Sequence, residues 1–235
     1  MKKLQEPGRQ SPEIESDDFL SSRVQRRSFL KYAGAGAAGV ALIAAGCKKD
    51  KNSDIGGGVN LGSGDIAILN YAYALEQLEA AFYIKVTATP YSGITANETT
   101  YMTDIRDHEI AHREFLKGAI GAQAIQSLEV DFSSINFTSR DSVLATAMAF
   151  EDLGVTAYNG AGYLLKSAEY LLLAGKIVSV EARHASLIRE LISVNTFLGD
   201  QVDSSSVNIS RTPTEVLIIA GKYIKTKLIT TGLPS

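Results

Sequence analysis

The chain contains three histidines, and two of them stand three residues after a glutamate, in Glu109-Ile110-Ala111-His112 and Glu181-Ala182-Arg183-His184. On a helix, residues i and i+3 share a face, so each stretch can present a carboxylate and an imidazole to one metal ion. Two such helices can hold two ions. Two further glutamates, Glu76 and Glu151, interrupt apolar stripes with helical spacing. A carboxylate facing a core is costly unless it is paired, protonated or bound to metal, so both require partners. Each is followed at seven residues by a tyrosine, Tyr83 and Tyr158, either of which could donate a hydrogen bond to the site. Glu79 lies off the stripe of Glu76, which reads as a partly exposed and dispensable position.

The donor set is one of nitrogen and oxygen. The single cysteine, Cys47, excludes an intrachain disulfide framework and any cysteine-rich zinc or iron-sulfur site. Imidazoles beside carboxylates favour iron, manganese or zinc over calcium or magnesium. His108-Glu109-Ile110-Ala111-His112 also has the form of a zinc-protease helix, with both histidines as ligands and Glu109 as general base. That alternative leaves Glu181 and His184 without a role.

Four helices must position these residues. The first opens at Gly64-Asp65, with Asp65 as N-cap, carries Ile66, Leu69, Tyr73, Glu76, Ala80 and Tyr83 on one stripe, and stops at Pro90 to Gly93. The second is expected from about Thr100 to Ile120, with Met102, Ile105, Glu109, His112, Leu116 and Ala119 inward. Gly121 to Thr138 loses the pattern and reads as a long crossover, alternating weakly like a short strand or extended segment between Leu128 and Phe137. Ser139 caps a third helix, with Leu144, Ala147, Glu151, Gly154, Tyr158, Ala161 and Leu165 on its stripe. A turn is expected near Lys166 to Ala168, and the fourth helix presents Ala174, Ile177, Glu181, His184, Ile188 and Leu191. Thr212-Pro213-Thr214-Glu215 is a capping box with proline at the first helical position, opening a fifth helix to about Leu228.

In an antiparallel hairpin, residues equidistant from the turn lie at one level. Glu76 and the Glu109/His112 pair are centred near residue 93, and Glu151 and the Glu181/His184 pair near 167. All six side chains are therefore expected at one depth. The two hairpins also repeat each other, since Glu76 and Tyr83 recur as Glu151 and Tyr158 at an offset of 75. One glutamate from each of two helices and Glu-x-x-His from each of the other two is the pattern by which residues from about Asp65 to Val194 resemble the ferritin-like superfamily. The resemblance is closest to its exported members, which include desiccation- and stress-related proteins; Leu69-Asn70-Tyr71-Ala72 and Glu181-Ala182-Arg183-His184-Ala185 are typical stretches. It implies an all-α fold, a ferritin-like four-helix bundle with one long crossover plus a C-terminal helix. It further implies a di-iron centre, with Glu109 and Glu181 bridging, Glu76 and Glu151 terminal, and His112 and His184 each completing one ion's ligands. Manganese or zinc would also suit the donors. Fe(II) would react there with oxygen or peroxide, as an oxidoreductase in iron handling or stress protection. The alternative within the same fold is a non-catalytic stress-protective module.

Composition agrees with a globular body: 45% of residues are hydrophobic and 21% charged. Residues 47 to 235 carry 16 basic against 21 acidic side chains, which gives no electrostatic reason to expect nucleic acid. The first 46 residues differ. Arg26-Arg27-Ser28-Phe29-Leu30-Lys31 followed by an apolar run to Gly46 resembles a twin-arginine export signal, with Gln25 where that motif more often has serine or threonine. Ala44-Ala45-Gly46-Cys47 resembles a lipoprotein processing site, with Ala44 where leucine is commoner; the alternative is an uncleaved N-terminal anchor, and both readings put the folded body outside the cytoplasm. An exported, periplasmic or cell-surface protein is expected, anchored to the membrane by acylated Cys47, with residues 47 to 63 as tether and 64 to 235 as the folded domain. Such a subunit is compatible with a monomer or a dimer.

Overall fold

The computed structural model describes residues 57–234. Arg26, Arg27, Cys47 and the expected export signal lie outside the described residues. Helix α1 spans Gly64–Ala88, α2 Ala96–Ile120, α3 Arg140–Gly162, α4 Ala168–Ile192 and α5 Pro213–Ala220, with strand β1 at Val59–Asn60 and β2 at Leu228–Ile229. Helices α1 and α2 pack as one hairpin, α3 and α4 as the other, and α1 touches α3 across the bundle. The whole is the expected all-α four-helix bundle with a single long crossover and a short additional helix. No helix among the described residues is long and apolar enough to cross a membrane.

Helix α1 is the centre of the molecule. Nearly all its residues from Ala67 to Tyr83 are buried, polar ones included. The reason lies in the crossover, which runs along the outer face of α1 and is fastened by two polar side chains seven residues apart. Asn70 Nδ2 donates to the carbonyls of Leu61 (3.0 Å) and Gln123 (2.9 Å), and its Oδ1 accepts from Ile125 N at 2.9 Å. Gln77 Oε1 accepts from Leu128 N at 2.8 Å. Further along, Phe82 meets Phe150, Phe132 and Phe137 at centroid distances of 5.1, 6.0 and 5.8 Å, so the aromatic crossover residues close the core over α1. The segment from Leu128 to Phe137 is irregular, not strand-like: only Val130 makes an isolated bridge, to Ile224.

Local chemistry explains most helix ends and corrects several expectations. Helix α2 starts four residues earlier than the apolar pattern predicted, because Thr95 and Glu98 form a capping box: Glu98 N donates to Thr95 Oγ1 at 3.1 Å and Thr95 N to Glu98 Oε2 at 2.9 Å. Glu98 also pairs with Arg140 at 2.7 Å, and Arg140 donates to the Leu191 carbonyl at 2.7 Å, which staples α2, α3 and α4 together at one end. Asp65 does not cap α1; Ser63 occupies that position. From the first turn of α1, the Asp65 carboxylate instead accepts from Lys166 N (3.0 Å) and Ser167 N (2.8 Å), holding the α3–α4 turn at the opposite end. That turn comes earlier than expected: α3 ends at Gly162, and Leu165 is off the helix.

The C-terminal part also departs from its periodicity. Helix α5 has the expected capping box but stops at Ala220, because the chain turns to pair β2 with β1 in parallel. Val59 N donates to the Lys227 carbonyl at 2.8 Å and Leu61 N to that of Ile229 at 3.1 Å. Val59 to Leu61, assigned by composition to the tether, are thus part of the fold, and Leu61 is fully buried. The segment leading to α5 crosses α3 at Gly160, where a Cβ would lie 1.8 Å from the Arg211 carbonyl oxygen. Only glycine permits that approach.

Candidate metal centre

The bundle brings Glu76, Glu109, His112, Glu151, Glu181 and His184 together at one level. Five of the six are buried and His112 is half-buried. Their ligand atoms form two overlapping groups, Glu76, Glu109, His112 and Glu181 in one, Glu109, Glu151, Glu181 and His184 in the other, each within 4.8 Å. Glu109 and Glu181 belong to both. His112 Nδ1 lies 2.8 Å from Glu181 Oε1, 3.5 Å from Glu76 Oε2 and 3.8 Å from Glu109 Oε2. His184 Nδ1 lies 2.9 Å from Glu109 Oε1, 3.3 Å from Glu151 Oε2 and 3.8 Å from Glu181 Oε2. Each shared carboxylate thus turns one oxygen to each group. Each imidazole comes closest to the shared carboxylate of the other hairpin.

The tyrosines cross in the same way. Tyr83, on α1, donates to Glu151 Oε1 on α3 at 2.5 Å, and Tyr158, on α3, donates to Glu76 Oε1 on α1 at 2.5 Å. Each bond occupies the outer oxygen of a glutamate and leaves the other facing the cluster. His108 is in neither group. Its Nδ1 lies 2.9 Å from His184 Nε2, which fixes the ring so that His184 Nδ1 faces the glutamates. The two histidines of the His108/His112 sequence therefore do not converge on one ion with Glu109 between them.

Burial and charge act strongly here. Burial raises the pKa of Glu76 and Glu109, and the Glu181 charge adds to it. Burial lifts Glu151 to about 7 against the opposing pull of His184. Burial alone would depress both imidazoles, but the surrounding carboxylates overcome it and push His112 and His184 up to about 12. Burial would likewise raise Glu181, yet the two imidazoles beside it hold it down at about 2. Without metal the cluster is a proton-filled cage: imidazolium and carboxylic acid replace the cations the carboxylates lack.

The residues fit a pair of metal ions by one observation. Eight buried atoms of these six side chains make no aligned hydrogen bond, although the two imidazole nitrogens stand within ion-pair distance of the carboxylates: Glu76 Oε2, both Glu109 oxygens, His112 Nδ1, Glu151 Oε2, both Glu181 oxygens and His184 Nδ1. Buried polar atoms are almost always satisfied, so a concentration of orphans on facing side chains marks a place for cations. These groups could hold metal ions through nitrogen and oxygen donors.

Glu79 is the residue that sequence reasoning misplaced. It is buried, 3% exposed, rather than half in solvent. Burial first, then the Glu181, Glu109, Glu76 and Glu151 charges, raise its pKa well above the usual carboxylate range. It faces Gly154, where a Cβ would lie 3.1 Å from Glu79 Oε1 and 3.7 Å from Glu181 Oε2. The signal was available in the hairpin repeat, because the offset of 75 that pairs Glu76 with Glu151 pairs Glu79 with Gly154. A large acid in one half and an absent side chain in the other occupy one space.

No curated protein matches the sequence significantly. A family profile described as the ferritin-like domain matches residues 64–194, which run from the start of α1 to just past the end of α4 and hold all six converging side chains. With more than half its length so matched, the chain belongs to the ferritin-like domain family.

Proposed function

We propose that the protein is an exported di-metal protein that oxidises Fe(II) with dioxygen or hydrogen peroxide. The observation that carries the reading is the set of eight unpartnered atoms divided between two ligand groups that share Glu109 and Glu181. In this reading Glu109 and Glu181 serve both ions, Glu76 and His112 serve one, and Glu151 and His184 the other. Iron is the metal proposed; manganese and zinc satisfy the same donors. A pair of Fe(II) ions would supply two electrons, enough to reduce dioxygen to hydrogen peroxide, or hydrogen peroxide to water, with uptake of two protons.

The chain's own residues have defined tasks. Tyr83 and Tyr158 hold the outer oxygens of Glu151 and Glu76, so that the inner oxygens stay aimed before any ion arrives. His108 holds the His184 ring from behind. The apolar layers above and below exclude water from the cluster. His112 and His184 must each give up a proton as an ion is bound, and Glu79 is placed to keep one within the buried site. Localisation belongs to the same proposal: Arg26-Arg27 and Cys47 support export in the folded state and anchoring by a lipid on Cys47, which would put the bundle on the outer side of a membrane.

The test is aerobic addition of Fe(II) to protein freed of metal by chelator, with metal counted per chain and oxidation followed by absorbance. About two ions per chain are expected, with binding at one position and oxidation both lost in His184→Ala. One zinc per chain and peptide-bond cleavage that survives His184→Ala would mean that His108, Glu109 and His112 form a protease site instead. Failure to bind any metal would leave the non-catalytic module.

A further inference from the structure

Above the ligand layer, toward the α3–α4 turn, the four helices enclose a cavity of about 20 Å³. Ala72 is one turn from Glu76 and Leu116 one turn from His112, so the cavity begins directly beyond the two groups. Tyr158 belongs to both regions: its ring forms part of the cavity wall while its hydroxyl donates to Glu76. The rest of the wall is almost wholly apolar, although Tyr71, whose hydroxyl is buried without a hydrogen-bond partner, also lines it; the space persists because Ala72, Ala157, Ala161 and Gly162 stand where larger side chains would fill it. Water needs two to four polar partners and roughly 10–15 Å³. This cavity has the room but, with the Tyr71 hydroxyl as its one unpartnered polar group, falls short of those partners, which is the character of a dry site that takes small apolar molecules.

Its position suggests a route. Ala119, Leu165, Leu173 and Ala174, on the outer side of the wall, are only half-buried, so the cavity approaches the surface between α2 and α4. The exposed His108 that backs His184 gives the site a polar side as well. A hydrated cation has partners on the polar side and none along the apolar wall. An uncharged diatomic has the reverse preference, because apolar surroundings impose no desolvation cost on it.

Resting on the reading of the site as an oxidant-consuming metal centre, we propose that this cavity is the binding and delivery site for dioxygen, apart from the polar side of the site on which His108 lies. Hydrogen peroxide, which must keep its hydrogen bonds, does not use the cavity. The two oxidants therefore respond differently when it is filled.

The first measurement is on crystals of the metal-free protein under xenon, a probe that reads the cavity without any reaction. A xenon atom between Ala72, Leu116, Tyr158 and Ala161 is expected, and its absence overturns the proposal. The second uses Ala161→Leu, which fills the cavity from within, and Ala174→Leu, which narrows its half-buried outer side and remains usable if the first variant fails to fold. Each should raise the dioxygen concentration for half-maximal Fe(II) oxidation roughly threefold or more, with kcat retained, and leave peroxide-driven oxidation unchanged. Equal loss with both oxidants, or no change with either, overturns the assignment to dioxygen. If wild-type protein oxidises Fe(II) with neither oxidant, the functional reading fails while the xenon result still decides whether the cavity binds an apolar molecule.

Discussion

At the scale of single residues, the six converging side chains and both tyrosines were legible because a charge on an apolar stripe is a conspicuous violation. Glu79 was not, since its helix is buried on all sides by a crossover whose path the local pattern of α1 does not record. The structure separates the two glutamates of α1. Glu76 faces the cluster with an unpartnered oxygen, whereas Glu79 lies outside both ligand groups. Glu76→Gln should therefore lose about one of the two bound ions, while Glu79→Gln keeps both; metal analysis of the two variants decides, and greater loss in Glu79→Gln would reverse the assignment.

The proton-filled cage has its own signature. The raised carboxyls and imidazoles bind protons more tightly folded than unfolded, so the stability they contribute to the metal-free protein is complete below the unfolded values and decays as pH rises. For the carboxyls the decay starts near 4.5, running through about 7 for Glu151; for His112 and His184 it starts near 6.5 and runs toward about 12. Glu181, held at about 2, has the opposite sign but changes only below 4.5. Thermal unfolding in chelator should thus show Tm falling between about pH 6 and about pH 9, and bound metal should remove most of that slope by replacing the protons. A metal-free Tm that rises over this interval would contradict the picture.

At the scale of elements, hydrophobic period gave the four long helices and their facing, while ends depended on which polar side chain found which amide. Thr95 to Glu98 lengthened α2 beyond its apolar stripe, and Asp65 served the turn at Lys166 and Ser167 instead of its own helix, a partner about a hundred residues away that no local pattern reveals. Helix α5 stopped short for the same kind of reason, because β2 pairs with β1 from the other end of the domain. The α2 start also makes a prediction. Its backbone amide, Thr95 and Arg140 together pull the Glu98 pKa down despite the opposing effect of burial. A depressed carboxylate contributes stability above its unfolded value, near 4.5, that is lost as pH falls through the folded value. Glu98→Gln should destabilise the protein at neutral pH and flatten its acid limb below about pH 4.5, and Thr95→Ala should cost about 1 kcal/mol. Urea unfolding at several pH values measures both.

At the scale of the whole molecule, the proposed metal-filled bundle held outside the cell requires an order of events. Metals that compete for one nitrogen and oxygen site are poorly separated by affinity alone, so the compartment in which the chain folds determines what it receives. Export of the folded protein on Arg26-Arg27 would let the cytoplasm make that choice. Arg26→Lys with Arg27→Lys should leave the precursor in the cytoplasm, folded and loaded, as read by fractionation and metal analysis; unchanged export of that variant would remove this part of the proposal.

The crossed contacts have one more consequence. Tyr83 bonds a glutamate of the second hairpin and Tyr158 one of the first, so neither hairpin completes its own half of the site, and two copies of a single hairpin could in principle complete each other. Glu79 and Gly154 are what such a symmetric assembly could not carry. A two-fold dimer must put the same residue at both places, and here a second side chain would begin 3.1 Å from the first one's carboxyl oxygen, while two glycines would leave a hole beside Glu181. Joining the hairpins in one chain frees these two positions to differ, and the seventh carboxyl exists because the symmetry is broken there.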